Sequence, residues 1–172
     1  MNPVIRLRLA GLVIAAAIYG VDQWFKHFVR LGLKLREVGA IEILPFFDLR
    51  WAENYGVSLG MFTAQSAEMR WLLVLGTTAV AGAVLVWLLR ERQLPDILGL
   101  SLVLGGALGN ITDRATFGYV IDYADLHFGS FRPFLIFNIA DAAITIGVLI
   151  ILARSLFSRE KPENAGHPAS ES

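Results

Sequence analysis

Acidic side chains inside apolar sequence are the residues of this chain that could do chemistry. Asp141 lies in the apolar stretch 134–154, and Asn138, Asp141 and Thr145 follow one another at spacings that place them on one face of a helix. An ionisable side chain within a membrane span costs about 2.5–3.5 kcal/mol on insertion scales, so it is a functional candidate by default. If the helix begins near Phe134, the rise of a helix places Asp141 ~10 Å below the membrane boundary.

Acid–base chemistry at Asp141 needs a partner, and the three aspartates that precede it most closely in the chain are Asp113, Asp122 and Asp125. Two carboxylates that lie close together in a low-dielectric site cannot both ionise, so they share one proton. One carboxylate can then take a proton from water while the other donates a proton to a carbonyl oxygen, as in aspartic peptidases. The residues alone do not decide which of these three aspartates is the catalytic partner of Asp141.

Two other sets of charged residues favour a structural interpretation. Asp22 and Lys26 lie one helical turn apart, and Asp113 is followed directly by Arg114. Aspartates within spans commonly pair with Lys or Arg. For both sets we therefore favour ion pairs that hold helices together.

The elements that must position these residues are apolar stretches that approach the ~20 residues of a membrane-spanning helix. Of all residues, 55% are hydrophobic and 17% charged, against roughly 45–50% and 25% in soluble domains. We place four spans at about 9–28, 70–89, 95–112 and 134–154 and a loop at about 30–69, all within one domain of residues 1–157, followed by a disordered cytoplasmic tail at 158–172. The first stretch could also be a cleaved secretory signal, but it continues through Trp24 and Phe28, which favours a retained helix.

Small residues at spacing four predict close helix packing in the last three spans. The pairs are Ala79 with Ala83, Gly105 with Gly109, and Ala143 with Gly147.

The long loop between the first two spans carries a strand-like pattern. From Ile41 to Asn54 the residues partly alternate, with Phe47, Leu49 and Trp51 on one side and Asp48 and Arg50 on the other. The predicted fold is an all-α integral membrane protein of four transmembrane helices, with a small extracytoplasmic β-sheet platform on the membrane surface. Four spans place both termini on one side, and the distribution of Lys and Arg favours the cytoplasm for them.

Other classes of function have less support in the sequence. The net charge of zero gives no argument for nucleic acid, and the absence of cysteine excludes a thiolate nucleophile or thiolate metal ligands. A Ser/Lys peptidase would pair Lys26 with Ser58, which has no context typical of a nucleophile. The three histidines are isolated, which disfavours a metalloprotease. A small membrane transporter or proton pathway with buried acids is the remaining alternative, although the chain shows no inverted repeat.

Four blocks of residues, in this order, resemble the bacterial lipoprotein signal peptidase, or type II signal peptidase. They are Asp22-Gln23 with Lys26; Glu53-Asn54 followed by Gly56 and Gly60; Gly109-Asn110 with Asp113-Arg114 and then Gly118 to Asp122; and Phe137 to Asp141. The resemblance extends to about residue 155. The chain departs from the family at Val57, Ser58 and Leu59, where many relatives have a small-small-aromatic run, and at Tyr123, where phenylalanine is usual.

The resemblance implies that Asp122 and Asp141 are the catalytic dyad and that Asp113 and Asp125 are not. It also implies substrate-binding or supporting roles for Asp22, Lys26, Asn54, Gly56, Asn110, Asp113, Arg114, Asn138 and Ala140. The activity implied is an intramembrane aspartic endopeptidase that cuts prolipoproteins before a diacylglyceryl-modified cysteine, with no metal and no cofactor. We further expect a monomer in the bacterial inner membrane, with the site near the extracytoplasmic face, contacts to bilayer lipids and inhibition by globomycin-like peptides.

Overall fold

A computed structural model describes residues 2–56 and 67–157 of the chain. Four long helices are present, namely α1 (Pro3–His27), α3 (Ala67–Arg90), α4 (Leu94–Phe117) and α5 (Ile139–Phe157). A π-helical turn (Phe28–Gly32) extends α1, and a short helix α2 (Leu35–Val38) follows it. The strands are β1 (Ala40–Leu44), β2 (Phe47–Asn54) and β3 (Val120–Leu126). The sequence predictions for the 158–172 tail, Val57, Ser58, Leu59 and Gly60 lie outside the described residues.

Within the described ranges, four helices are long and apolar enough to cross a membrane, which confirms the predicted fold class. Their bounds differ from the predicted ones. The third span continues to Phe117, where Gly118 ends the helix with a left-handed φ of 89° that glycine adopts readily. The fourth span begins at Ile139 rather than near Phe134.

Helix α4 is the centre of the bundle and contacts α1, α3 and α5. Two of the three predicted packing pairs are confirmed, because Gly105, Gly109, Ala143 and Gly147 are all buried. The prediction for Ala79 and Ala83 is wrong, since both are exposed. Helix α3 instead buries Val74, Ala81 and Leu88, which lie on one face at spacing seven.

The three strands form an antiparallel sheet in the order β1-β2-β3, so the predicted sheet is confirmed and a third strand is added to it. Strand β3 was not predicted, because its residues Val120 to Asp125 are all buried and show no alternation of apolar and polar side chains. The alternation predicted for β2 also fails at Asp48, which is buried beside Leu49. Its carboxylate lies 3.1 Å from His127 Nε2.

One apolar cluster joins the sheet to the end of the first span. Val29 and Leu35 pack with Leu49, Ile121 and Tyr123 from the strands. Burial of this cluster fixes β3 across the end of α1. Asp122 is therefore held on a strand between two membrane-spanning helices.

Candidate active site

The chain that enters α5 is attached to β3. Phe137 pairs with Ala124 through N–H···O distances of 2.8 and 3.1 Å. This short bridge places Asn138, the next residue, beside Asp122. Long-range pairing, and not the apolar run of the sequence, therefore decides where α5 begins.

Asn138 and Asp141 cap the first turn of α5 reciprocally. The Asp141 N–H donates to Asn138 Oδ1 at 2.8 Å, and the Asn138 N–H donates to Asp141 Oδ2 at 3.3 Å. This is the arrangement of a capping box, which satisfies two backbone donors that the helix leaves unpaired. Asp141 thus lies in the first turn of the helix, and the expected start near Phe134, from which the ~10 Å depth followed, is wrong.

Asp122 is only 2% exposed and accepts two amide hydrogen bonds. Asn138 Nδ2 donates to Oδ1 at 2.6 Å, and Asn54 Nδ2 donates to Oδ2 at 3.1 Å. Burial, followed by the nearby Asp141 carboxylate, raises the pKa of Asp122 to about 7. A carboxyl group with that pKa can hold a proton at neutral pH.

Two asparagine amides connect Asp122 to Asp141. Asn110 Nδ2 donates to Asp141 Oδ1 at 2.8 Å, and Asn138 Nδ2 lies 3.3 Å from Asn110 Oδ1. The structure therefore brings both predicted dyad residues, and all three predicted asparagines, into one hydrogen-bonded network.

A buried ion cluster lies behind this network. Lys26 Nζ lies 2.8 Å from Asp22, 2.9 Å from Asp113 and 3.1 Å from Asn110 Oδ1. The expected pair of Asp22 with Lys26 is confirmed, whereas the expected pair of Asp113 with Arg114 is wrong. Adjacent residues of a helix do not face each other, so Asp113 points to Lys26 on α1 instead.

Backbone donors tie the cluster to the elements that carry the dyad. The Ala140 N–H donates to Asp22 at 3.0 Å, and the Ile121 N–H donates to Asp113 at 3.1 Å. Gln23 is a supporting residue that the sequence analysis did not select, although it stands in the first family block. Its Nε2 contacts Asp22 at 3.2 Å and Asp113 at 3.0 Å.

Arg114 and Gly56 lie at the edge of the site. Within the described part of the chain, Arg114 Nε is buried and has no hydrogen-bond partner. Gly56 has a φ of 84°, and its N–H donates to Asn54 Oδ1 at 2.9 Å. A Cβ at Gly56 would lie 3.0 Å from Leu73 and 3.6 Å from Arg114 Nε, so this turn favours glycine.

Asp125 faces away from this network. Its position three residues after Asp122 places it on the other face of the strand. There it is fully buried, accepts from Arg132 Nε at 3.0 Å and lies 3.1 Å from Arg50 Nε. The structure supports an ion-pair role for Asp125.

Two cavities give access to the two carboxylates. One of about 320 Å³ reaches Asp141 and is lined largely by apolar side chains, including Phe134 and Phe137. The other, of about 360 Å³, reaches Asp122. Leu135 lines both cavities, so they adjoin one another across the carboxylate network.

Comparison with known proteins decides the family. The family model described as signal peptidase (SPase) II matches residues 14–157, which include every candidate site residue. The chain belongs to the signal peptidase II family. It is a peptidase, and its four apolar helices make it a multi-pass membrane protein.

Individual relatives agree with this membership in the signal peptidase II family. A lipoprotein signal peptidase of Sphingopyxis alaskensis is 53% identical over 155 residues, covering 90% of each chain. Another, of Rhizorhabdus wittichii, is 52% identical over 153 residues, covering 89% of each. A bacterial membrane enzyme solved by the in meso method at 2.3 Å resolution superposes with a TM-score of 0.75 and 28% identity, over 90% of this chain and 92% of that one. The expected resemblance is confirmed.

Proposed function

We propose that the chain is an aspartic endopeptidase that removes the signal peptide of prolipoproteins, and that Asp122 and Asp141 are its catalytic dyad. The observation that carries this proposal is the network in which Asn138 and Asn110 connect the two carboxylates. Cleavage before a diacylglyceryl-modified cysteine is the specificity that membership in the family suggests.

The proposed chemistry needs one proton on the pair. With a pKa of about 7, Asp122 holds that proton near neutrality, while Asp141 accepts hydrogen bonds as a carboxylate. Asp141 takes a proton from water, whose oxygen attacks the scissile carbonyl, and Asp122 donates its proton to the carbonyl oxygen. The tetrahedral intermediate collapses when Asp141 passes its proton to the amide nitrogen and Asp122 takes a proton back from a hydroxyl of the gem-diol, so that the C–N bond breaks and the dyad again holds one proton.

The surroundings of the dyad suit a lipid-modified substrate. The largely apolar cavity beside Asp141 would accept hydrocarbon, and the cavity beside Asp122 includes Asn54, which can bind a peptide backbone. The first cavity lies along the start of α5 and the residues before it, and the second lies between the end of β2 and those same residues. A substrate that stays in the bilayer would reach the apolar cavity beside α5 from the side. Arg114 is close enough to the acidic residues to stabilise developing negative charge.

We further propose that the site lies near the extracytoplasmic face of the bacterial inner membrane and that both termini are cytoplasmic. Arg6, Arg8, Arg90, Arg92 and Arg154 lie at the other end of the helices. Most Lys and Arg residues on the side of the site flank or lie in the long first loop, where charge has less influence on orientation, so the distribution supports this orientation.

The test is cleavage of a lipid-modified prolipoprotein by the purified protein in lipid. Asp122→Asn and Asp141→Asn should each lose at least ~100-fold of the rate, the scale of acid–base groups. Asp96→Asn is the matched control, because Asp96 pairs with Arg154 near the ends of α4 and α5 that lie away from the site. Cleavage that survives both dyad changes would refute the mechanism, and movement of protons or solutes without cleavage would support the transporter alternative.

A further inference from the structure

Three asparagine amides surround the proposed dyad, namely Asn54, Asn110 and Asn138. A side-chain amide presents an acceptor on one side and a donor on the other, and a half-turn of the group exchanges the two. The direction of each amide therefore decides whether a carboxylate beside it meets a donor or another acceptor.

Backbone donors fix two of the three amides. Asn54 Oδ1 accepts from the Gly56 N–H at 2.9 Å, and Asn138 Oδ1 accepts from the Asp141 N–H at 2.8 Å. A backbone N–H cannot accept a hydrogen bond, so the NH2 group of each amide must face Asp122.

The third amide is fixed by side chains. Lys26 Nζ donates to Asn110 Oδ1 at 3.1 Å, and Asn138 Nδ2 donates to the same oxygen at the longer distance of 3.3 Å. Asn110 Nδ2 therefore faces Asp141 Oδ1 at 2.8 Å. An ammonium group carries three donors and no acceptor, and those of Lys26 are directed to Asp22, Asp113 and Asn110. Lys26 is 2% exposed, which shields this arrangement from water.

We propose that Lys26 is a positioning residue that fixes the direction of the Asn110 amide and so keeps Asp141 ionised while the dyad holds a single proton. This inference rests on the proposed function of Asp122 and Asp141. It assigns to Lys26 a defined effect on proton placement in addition to its part in the ion cluster.

Loss of the ammonium should reverse the amide. Asp113 would then be a buried carboxylate that has lost the donor at 2.9 Å, and the NH2 group of Asn110 can turn toward it. Its oxygen would face Asp141, and the two acceptors repel each other unless the dyad takes up a second proton. A doubly protonated dyad cannot take a proton from water, so the acid limb of the pH–rate profile should move to higher pH.

The net charge near the dyad must be kept constant in a test. The charged or titratable groups there are Asp22 and Lys26 from α1, Asp113 and Arg114 from α4, and Tyr123 from β3. Burial raises the pKa of Tyr123 further above neutrality, so it stays protonated. Lys26, Asp22 and Asp113 together carry a net charge of −1, and the double variant Asp22→Asn/Lys26→Met keeps that charge.

The experiment compares this variant with Asp22→Asn/Lys26→Gln, which has the same charge but can still donate to Asn110. Prolipoprotein cleavage is measured against pH in lipid, with kcat and KM determined separately. The Met variant should lose about 10- to 100-fold in kcat, with KM unchanged and the acid limb about one pH unit higher. The Gln variant should retain more of kcat and keep the acid limb close to that of wild type.

Two results would overturn the inference. One is an acid limb in the folded Met variant that matches wild type. The other concerns the Met variant combined with Asn110→Ala: its loss of kcat would equal the product of the two separate losses. A residue that acts through Asn110 should cause no further loss of kcat once the amide is gone. Should the Met variant fail to fold, Asn110→Ala decides, since it removes the same donor from Asp141 and must raise the acid limb. These outcomes differ from failure of the proposed function, in which Asp122→Asn and Asp141→Asn still cleave.

Discussion

We predict that the Asn138 amide has two separate roles, in which its oxygen stabilises helix α5 and its nitrogen binds Asp122. Substitutions can separate these two roles. Its Oδ1 accepts from the Asp141 N–H at 2.8 Å and caps α5. Its Nδ2 donates to Asp122 at 2.6 Å and to the Ile121 carbonyl at 3.2 Å. The side chain is 1% exposed, so water cannot replace these bonds. Asn138→Ala removes both functions, whereas Asn138→Ser keeps an oxygen that can cap the helix.

The magnitudes follow from the bonds lost. The capping bond is worth about 1 kcal/mol, so the Ser variant should be more stable than the Ala variant by that amount. Both variants lose the short bond to Asp122, and a buried polar group left without its partner costs about 1–3 kcal/mol, or roughly 5- to 150-fold in rate. We therefore expect two similarly impaired enzymes with different stabilities.

Unfolding by SDS in mixed micelles measures the stability difference, and prolipoprotein cleavage by the folded fraction measures kcat. Equal stability of the Ser and Ala variants would show that Asn138 does not cap α5. Cleavage by either variant at the wild-type rate would refute the role of the Asn138 amide at the dyad.

Three further predictions concern the dyad, the helix packing and the ion pair on the sheet. A carboxyl group whose pKa rises from 3.8 to about 7 on folding stabilises the protein at low pH, and this contribution is lost as the pH rises through 7. Asp122→Asn should therefore be more stable than wild type above pH 7 in thermal unfolding, and an unchanged midpoint there would contradict the raised pKa. Gly147→Ala should cost about 1–3 kcal/mol, because its Cβ would lie 2.5 Å from the Gly99 carbonyl oxygen, whereas Gly76→Ala, which meets nothing within 4 Å, should be neutral by SDS unfolding. Asp125→Asn should lower stability by about 1–3 kcal/mol and leave cleavage by the folded fraction intact, and loss of that activity would return Asp125 to the catalytic candidates.

The part of the fold that the sequence predicts correctly depends on local properties. A run of about 20 apolar residues crosses the bilayer as a helix whatever its neighbours are, because only a helix satisfies the backbone within one segment. The alternation from Ile41 to Asn54 likewise predicts a strand from its own residues. The pair of Asp22 with Lys26 was predictable for the same reason, since both residues lie on one helix face.

The tertiary structure decides what long-range contacts control. Strand β3 exists because β2 and the residues before α5 pair with it, so its apolar run alone did not reveal it. The start of α5 depends on the bridge between Phe137 and Ala124, which is why the helix begins at Ile139 and not near Phe134.

By itself the sequence determined four membrane spans, a small sheet and a short set of acidic candidates among which family resemblance selected Asp122 and Asp141. The direction of each amide, the choice of Lys26 as the partner of Asp113, and the connection between Asp122 and Asp141 required the assembled structure. The physical reason is that apolar length and periodicity act within one segment. Hydrogen bonds in a buried site instead depend on donors and acceptors that distant segments bring together.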